Sequence, residues 1–397
     1  MATEAGSSWA RRRGAALAAT LAAPFLIYLI VRMIPAPLPP ADPVVAARKA
    51  MYESIVPTFQ VRDREIDLAR RAGQASPLAY EPFFLLARAA EQRGDYREAI
   101  RLMEEVRRRR ANFVPGRLQL AAYYGATNQF RRMFDEIDVA LRLNADVRQA
   151  VVAELTRLIA IPDGRDELAG ALARNPSWRR DFFTAAHGRP FQPADTRALY
   201  LAVRARNSRL NATPEFRLHL EALVRTGQVA RARNLWLGAM PPERRARHAN
   251  LFDGEFSGEP AFPPFGWELA ESEQGRAETM RDGRPHLQID YFGGSNEVLA
   301  EQVIALRPGN YRLTYSARSD EGVGGANINW VVACYPSGEI LSRTTIQNLG
   351  QNYQRRAIGF VIPTSAQCNG QVLRLVGEPG DVSVPVSFQL ASVGIAR

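Results

Sequence analysis

Residues able to do chemistry are few and scattered in this 397-residue chain. Lys49 is the only lysine, so a Walker-type phosphate loop is excluded and Schiff-base chemistry has one address. The four histidines, His187, His219, His248 and His286, lack a His-x-x-x-His or glutamate-paired zinc spacing. No Gly-x-Ser-x-Gly elbow occurs, and Gly293-Gly294-Ser295 lacks the partner pattern of a nucleophile. Asp253 and Glu255 could offer oxygens to calcium, but Asp-Gly is also ordinary turn chemistry, and no metal is assigned. The expectation is a protein with no catalytic residue, metal or cofactor. One enzymatic alternative stays open, because carboxylate pairs for sugar hydrolysis are assembled in space rather than in sequence.

The remaining candidates, Trp267, Trp330, Tyr335, Cys334 and Cys368, all lie in residues 249–397, where the spacing is that of strands. Leu287, Ile289 and Tyr291 share one face, as do Tyr311, Leu313 and Tyr315 between Arg312, Thr314 and Ser316. Ile328, Trp330, Val332 and Cys334 make another face, followed by Ile358, Phe360 and Ile362, then Leu373 and Leu375, then Phe388 and Leu390. Turn signals such as Pro308-Gly309-Asn310 and Pro336-Ser337-Gly338 separate them. So many short alternating strands predict an antiparallel β-sandwich. Trp330 shares its face with Ile328 and Val332 and reads as core; Tyr335 falls on the opposite face. Two cysteines confined to one domain are consistent with a Cys334–Cys368 disulfide, with two buried thiols as the alternative.

Residues 44–248 show helical spacing instead, with apolar positions at intervals of three and four. Gly94, Tyr96 and Ala99 follow Phe83, Leu86, Ala87 and Ala90; 34 residues later stand Asn128, Phe130 and Met133 after Leu120, Ala121 and Tyr124. Gly227, Val229 and Ala232, after Phe216 and Leu220, give a third instance. This pattern resembles the tetratricopeptide repeat, a pair of antiparallel helices. The resemblance implies an α-helical solenoid that serves as a platform for proteins. Pro162-Asp163-Gly164 and Arg189-Pro190 interrupt the period, so hairpins without the repeat are expected between.

The β-region has a resemblance of its own. Asn250-Leu251-Phe252-Asp253-Gly254-Glu255-Phe256, then Pro264-Phe265-Gly266-Trp267, resembles the opening of jelly-roll domains of the carbohydrate-binding-module and galactose-binding-like type. Leu306 to Leu313, followed by Ser316-Ala317-Arg318, is similar to their central hairpin. The resemblance implies glycan recognition by exposed aromatics and polar groups, for which Tyr335 and Trp267 are the candidates.

Ahead of both regions, Arg11-Arg12-Arg13 precede an uncharged run from Gly14 to Val31. As a helix, 18 residues reach about 27 Å, close to a hydrocarbon core. The run stays bulky to its exit, unlike a cleaved leader, which ends in small residues. The expected plan is a cytoplasmic tail at 1–13, a transmembrane helix at 14–34, a proline-rich stalk at 35–43, the helical domain at 44–248 and the jelly roll at 249–397. The arginine triplet favours a bacterial inner-membrane protein with one span and its bulk in the periplasm.

Charge is divided unevenly. Residues 249–397 hold 11 arginines and 16 acids, net −5, while residues 1–248 hold 40 bases and 25 acids, net +15. The basic half suits anionic partners or is a solvated helix surface. Zinc-finger spacing and an aromatic–basic RNA-binding strand are absent, so no nucleic-acid partner is expected. The whole predicts a non-enzymatic scaffold for envelope proteins and polysaccharide, in cell-envelope or exopolysaccharide assembly or export. A carbohydrate-active enzyme and a purely structural membrane subunit are the alternatives.

Overall fold

The computed structural model describes residues 42–397, apart from 57, 212, 249, 260–263, 282, 321–325, 366–367 and 381–384. The expected anchor at 14–34 and nearly all of the stalk lie outside these residues. Among the described residues no helix is long and apolar enough to cross a membrane. The chain divides into two compact units, one of residues 1–189 and 198–212, the other of 190–197 and 213–397.

The first unit is helical. Its elements are α1 (Pro43–Ser54), α2 (Asp63–Ala75), α3 (Glu81–Gln92), α4 (Tyr96–Arg109), α5 (Val114–Ala126), α6 (Phe130–Leu143), α7 (Arg148–Leu155), a 3-10 turn (Thr156–Ala160), α8 (Pro162–Ala173) and α9 (Arg179–Ala186). Helix α10 (Pro193–Arg206) belongs to both units. The 34-residue spacing has a backbone counterpart. Gly94 (φ 77°) and Asn128 (φ 59°) take the left-handed conformation at the two turns. In each, the next amide bonds back across the turn: Asp95 N to Ala90 O at 2.9 Å, and Gln129 N to Tyr124 O at 2.8 Å. Glycine reaches that region freely and asparagine tolerates it, which is why these two types end the helices. Ala87, Ala90 and Ala99 are fully buried and let α3 and α4 approach closely.

Pro162, which breaks the sequence period, stands in the first turn of α8, where its missing N–H has no partner to lose. The basic run Arg107–Arg110 is occupied by its own unit. Arg107 and Arg117 both bond Glu136 at 2.5 Å. Arg108 and Arg109 bond Glu105, and Arg110 donates to the Tyr80 hydroxyl at 3.0 Å.

The second unit holds α11 (Thr213–Arg225), α12 (Val229–Gly238), α13 (Pro242–Arg247) and an antiparallel β-sandwich. Gly227 (φ 78°) makes the same turn between α11 and α12, with Gln228 N bonding Leu223 O at 2.8 Å. Sheet A has the order β1 (Glu268–Leu269), β4 (Glu297–Ile304), β9 (Gly370–Pro379), β6 (Ala326–Tyr335), β7 (Ile340–Ile346). Sheet B runs β2 (Gly275–Met280), β3 (His286–Tyr291), β10 (Val386–Ala396), β5 (Gly309–Arg318), β8 (Gln354–Ile362). The chain crosses between sheets at most connections, so the two inner faces close one core. Leu287, Ile289, Tyr291, Leu313, Trp330, Phe360, Leu373, Leu375 and Leu390 all lie in it, at most 4% exposed. The alternation read from the sequence therefore places its apolar sets on the inner faces.

Candidate functional site

Outer faces of the two sheets meet different fates, and the candidate residues divide between them. On sheet A, one end of the outer face is covered by the α11–α12 hairpin. Leu220, Leu223 and Val224 of α11, with Val229, Ala232 and Trp236 of α12, form one cluster with Val303, Phe252 and Phe265. The fit is close: a Cβ added to Gly370 would come within 2.5 Å of Val229. Arg233 is buried inside this junction, its guanidinium over the rings of Trp236 and Phe265 at 4.8 and 5.2 Å. Burial pushes its pKa down to about 10. On α11, His219 is also buried, with Nδ1 3.1 Å from Thr196 Oγ1, and burial lowers its pKa to about 4, the charges of Arg231 and Arg197 adding to the effect.

Tyr335 sits on this same face. Its ring is half-buried against the α11–α12 cluster, so it packs on protein. Trp267 packs against the sandwich core beside Phe256, with centroids 5.7 Å apart, and its Nε1 donates to Asp253 O at 3.3 Å. The two belong to separate clusters and do not form one platform. Trp330 is core, 1% exposed. Cys334 and Cys368 are disulfide-bonded, tying the end of β6 to the loop before β9.

Asp253 organises a loop. Its Oδ1 accepts from Ser257 N and Oγ at 2.8 and 2.7 Å, its Oδ2 from Gly258 N and Glu259 N at 3.0 and 3.3 Å. Four donors already satisfy the carboxylate. Next to it, His248 Nδ1 accepts from Asp253 N at 3.3 Å, which leaves Nε2–H to donate to Glu259 at 2.7 Å. Among the described residues no group of three His, Cys, Asp or Glu could hold a metal ion. Glu268 and Glu301 stand opposite each other on β1 and β4, but Glu301 is taken up by Arg374.

Sheet B presents its outer face to solvent. Because Tyr311, Leu313 and Tyr315 point inward, Arg312, Thr314, Ser316 and Arg318 point out. Opposite them on β8 are Gly359, Ala357 and Arg355, and on β10 Ala396, Gly394, Ser392 and Gln389. The middle of the face is thus small and hydroxylated. Arg312, Arg355, Ala357 and Gly359 are exposed, and a Cβ added to Gly359 would meet nothing within 4 Å.

At one end of the face the side chains form a polar rim. Glu278, Gln288, Gln389 and Arg318 stand in one row across β2, β3, β10 and β5. Gln389 Oε1 accepts from Arg318 Nε at 2.8 Å and from the Tyr353 hydroxyl at 3.0 Å. The guanidiniums of Arg284 and Arg318 flank the Tyr353 ring at 5.6 and 5.5 Å. In the next row, Ser387 Oγ donates to Asp290 Oδ1 at 2.8 Å and accepts from Gln288 Nε2 at 2.9 Å. A planar ring, two amides and a guanidinium held in place by one another can hydrogen-bond a hydroxyl-rich ligand. The sequence had marked Arg312, Thr314 and Ser316 as outward. It carried no signal linking them to Tyr353, Gln389 and Gln288, because strand pairing alone brings these together.

No protein-family model matches the chain, and no curated protein does. Its structural neighbours include carbohydrate-binding modules. One is TmCBM61 in complex with β-1,4-galactotriose, 13% identical over 37% of this chain and 98% of that one, TM-score 0.25. Another is CBM6cm-2 of Cellvibrio mixtus lichenase 5A in complex with cellotriose, 12% identical over 32% of this chain and 91% of that one, TM-score 0.22. A third is the arabinose-bound α-L-arabinofuranosidase MgGH51, 12% identical over 32% of this chain, TM-score 0.26; this chain spans 22% of that enzyme's length.

Proposed function

We propose that the sandwich is a non-catalytic glycan-binding module that uses the outer face of sheet B. The observation that supports it is the open surface over Thr314, Ser316, Ala357 and Gly359, bordered by the braced rim of Gln288, Gln389, Arg318 and Tyr353. Such a face offers hydroxyl and amide partners to a sugar chain. In the same reading, residues 14–34 anchor the chain in a bacterial inner membrane with its bulk in the periplasm, a compartment that favours the Cys334–Cys368 bond. The helical hairpins then serve as a tetratricopeptide-like dock for envelope proteins, which makes the molecule a scaffold in cell-envelope or exopolysaccharide assembly or export.

The test is affinity gel electrophoresis of the full detergent-solubilised chain against a panel of polysaccharides. Retardation by at least one glycan, lost in Ala357→Trp, is expected, because an indole on the open strand fills the surface. Retardation that survives this substitution would move the ligand off sheet B. Extraction of the chain from membranes by alkaline carbonate would remove the anchor.

A further inference from the structure

Within the glycan reading, on which this inference rests, the charge on the face identifies the class of sugar. The β-domain as a whole is net −5. Yet β10, β5 and β8, three adjacent strands of sheet B, contain no aspartate or glutamate. They carry Arg312, Arg318, Arg355 and Arg356. Three of these, Arg312, Arg318 and Arg355, project from the outer face, and they bracket its small-residue centre. Arg312 and Arg318 are six residues apart on β5, a span of about 20 Å. Arg355 lies opposite Ser316 between them. That span is the length of an oligosaccharide rather than a single sugar.

Several cations elsewhere in the domain are paired with acids. On sheet A, Arg374 pairs with Glu301 and Arg343 with Glu378. On sheet B, Arg276 pairs with Glu278 at 2.5 Å. Arg318 is braced by Gln389 and reaches Asp320 at 3.4 Å. Exposed Arg312 and Arg355 have no hydrogen-bond or ion-pair partner among the described residues. A guanidinium pairs with a carboxylate through two charge-assisted hydrogen bonds, and neutral sugars bring no charge to them. Successive bases or lipid tails would need an aromatic ladder or an apolar wedge, and the rim holds one ring, Tyr353.

We infer that the outer face of β10, β5 and β8 binds an acidic, carboxylate-bearing polysaccharide, with Arg312 and Arg355 engaging sugar carboxylates on either side of the small-residue centre. The probes are polygalacturonate and alginate as acidic polymers, and dextran and hydroxyethylcellulose as neutral ones, run against the full chain in affinity gels. Binding to an acidic polymer, weakening as salt is raised, is expected. The pair Arg312→Gln and Arg355→Gln should weaken it about tenfold or more, and Arg312→Lys with Arg355→Lys should retain part of it. Melting curves identify any variant that has unfolded, in which case the single substitutions are compared. Neutral polymers bound as well as acidic ones, with the glutamine pair unaffected, would overturn the inference and leave the glycan reading standing. Binding of no polysaccharide would end both. Equal binding of duplex DNA or anionic vesicles would show an unselective polyanion surface and also overturn the inference.

Discussion

The two outer faces of the β-sandwich come from the same kind of strand and end in opposite states. On sheet A, the face around Tyr335, Val303 and Gly370 is sealed by the α11–α12 hairpin, and its arginines are matched with acids. On sheet B, the face around Arg312, Ala357 and Gly359 stays open, and two of its arginines are unmatched. The same alternation of side chains produced both. The difference teaches that an outward aromatic on a strand is no sign of a ligand platform until the cover of that sheet is known. Tyr335 is such a residue. Its side of the sheet continues the core of a helical hairpin.

If the hairpin is an integral layer of the second unit, its central anchor carries the largest effect. Trp236 is fully buried among Phe252, Phe265 and Leu220. Trp236→Ala should cost about 3–5 kcal/mol in chemical denaturation of the full chain. A change under 1 kcal/mol would mean the hairpin is an appendage, and the contrast between the faces would fail.

Next comes the disulfide beside Tyr335. It closes a loop of 34 residues, for which loss of the crosslink costs about 3–4 kcal/mol through the unfolded chain. Cys334→Ser with Cys368→Ser should show that loss, and dithiothreitol should reproduce it in the unsubstituted protein. Insensitivity to reductant would remove the support this bond lends to an oxidising compartment.

His219 provides a pH test of the covered side. Its folded pKa of about 4 lies below the ordinary value of 6.5, so the unfolded chain takes up the proton first. Stability from this residue is full above pH 6.5 and is lost as pH falls toward 4, by roughly 3 kcal/mol. His219→Gln should flatten that part of the stability–pH curve relative to the unsubstituted chain. Parallel curves would show that the ring is not buried neutral between α10 and α11.

The smallest stability effects belong on the open face. Arg312→Gln and Arg355→Gln should each change unfolding free energy by no more than about 0.5 kcal/mol, as exposed groups without partners do. A larger loss would mean that these arginines hold the sandwich together, and the open face would resemble the closed one after all.

Much of this plan was legible in the residues. Apolar residues at every second position located β3, β5, β6, β8, β9 and β10, because a half-buried strand must alternate. β2 escaped notice because Gly275-Arg276-Ala277-Glu278 offers too little apolar contrast. β4 escaped because a bulge at Val298–Ala300 breaks its period. The helical turns at Gly94, Asn128 and Gly227 were legible through the few residue types that accept a positive φ. Pro162 was legible as a break in the repeat; the structure adds that it opens a helix, where its missing N–H has no partner to lose.

The sequence by itself determined which side chains face inward, where helices turn, and that both cysteines fall in the β-region. These follow from local geometry and repeat within a few residues. Only the tertiary structure decided which outward face is open. Gln288, Gln389, Arg318 and Tyr353 meet through strand pairing that joins Gln288 to Gln389, 101 residues on, and Tyr335 meets the α11–α12 cluster by packing of helix on sheet. Contacts of that range leave no local period behind, so no pattern of spacing could have announced them.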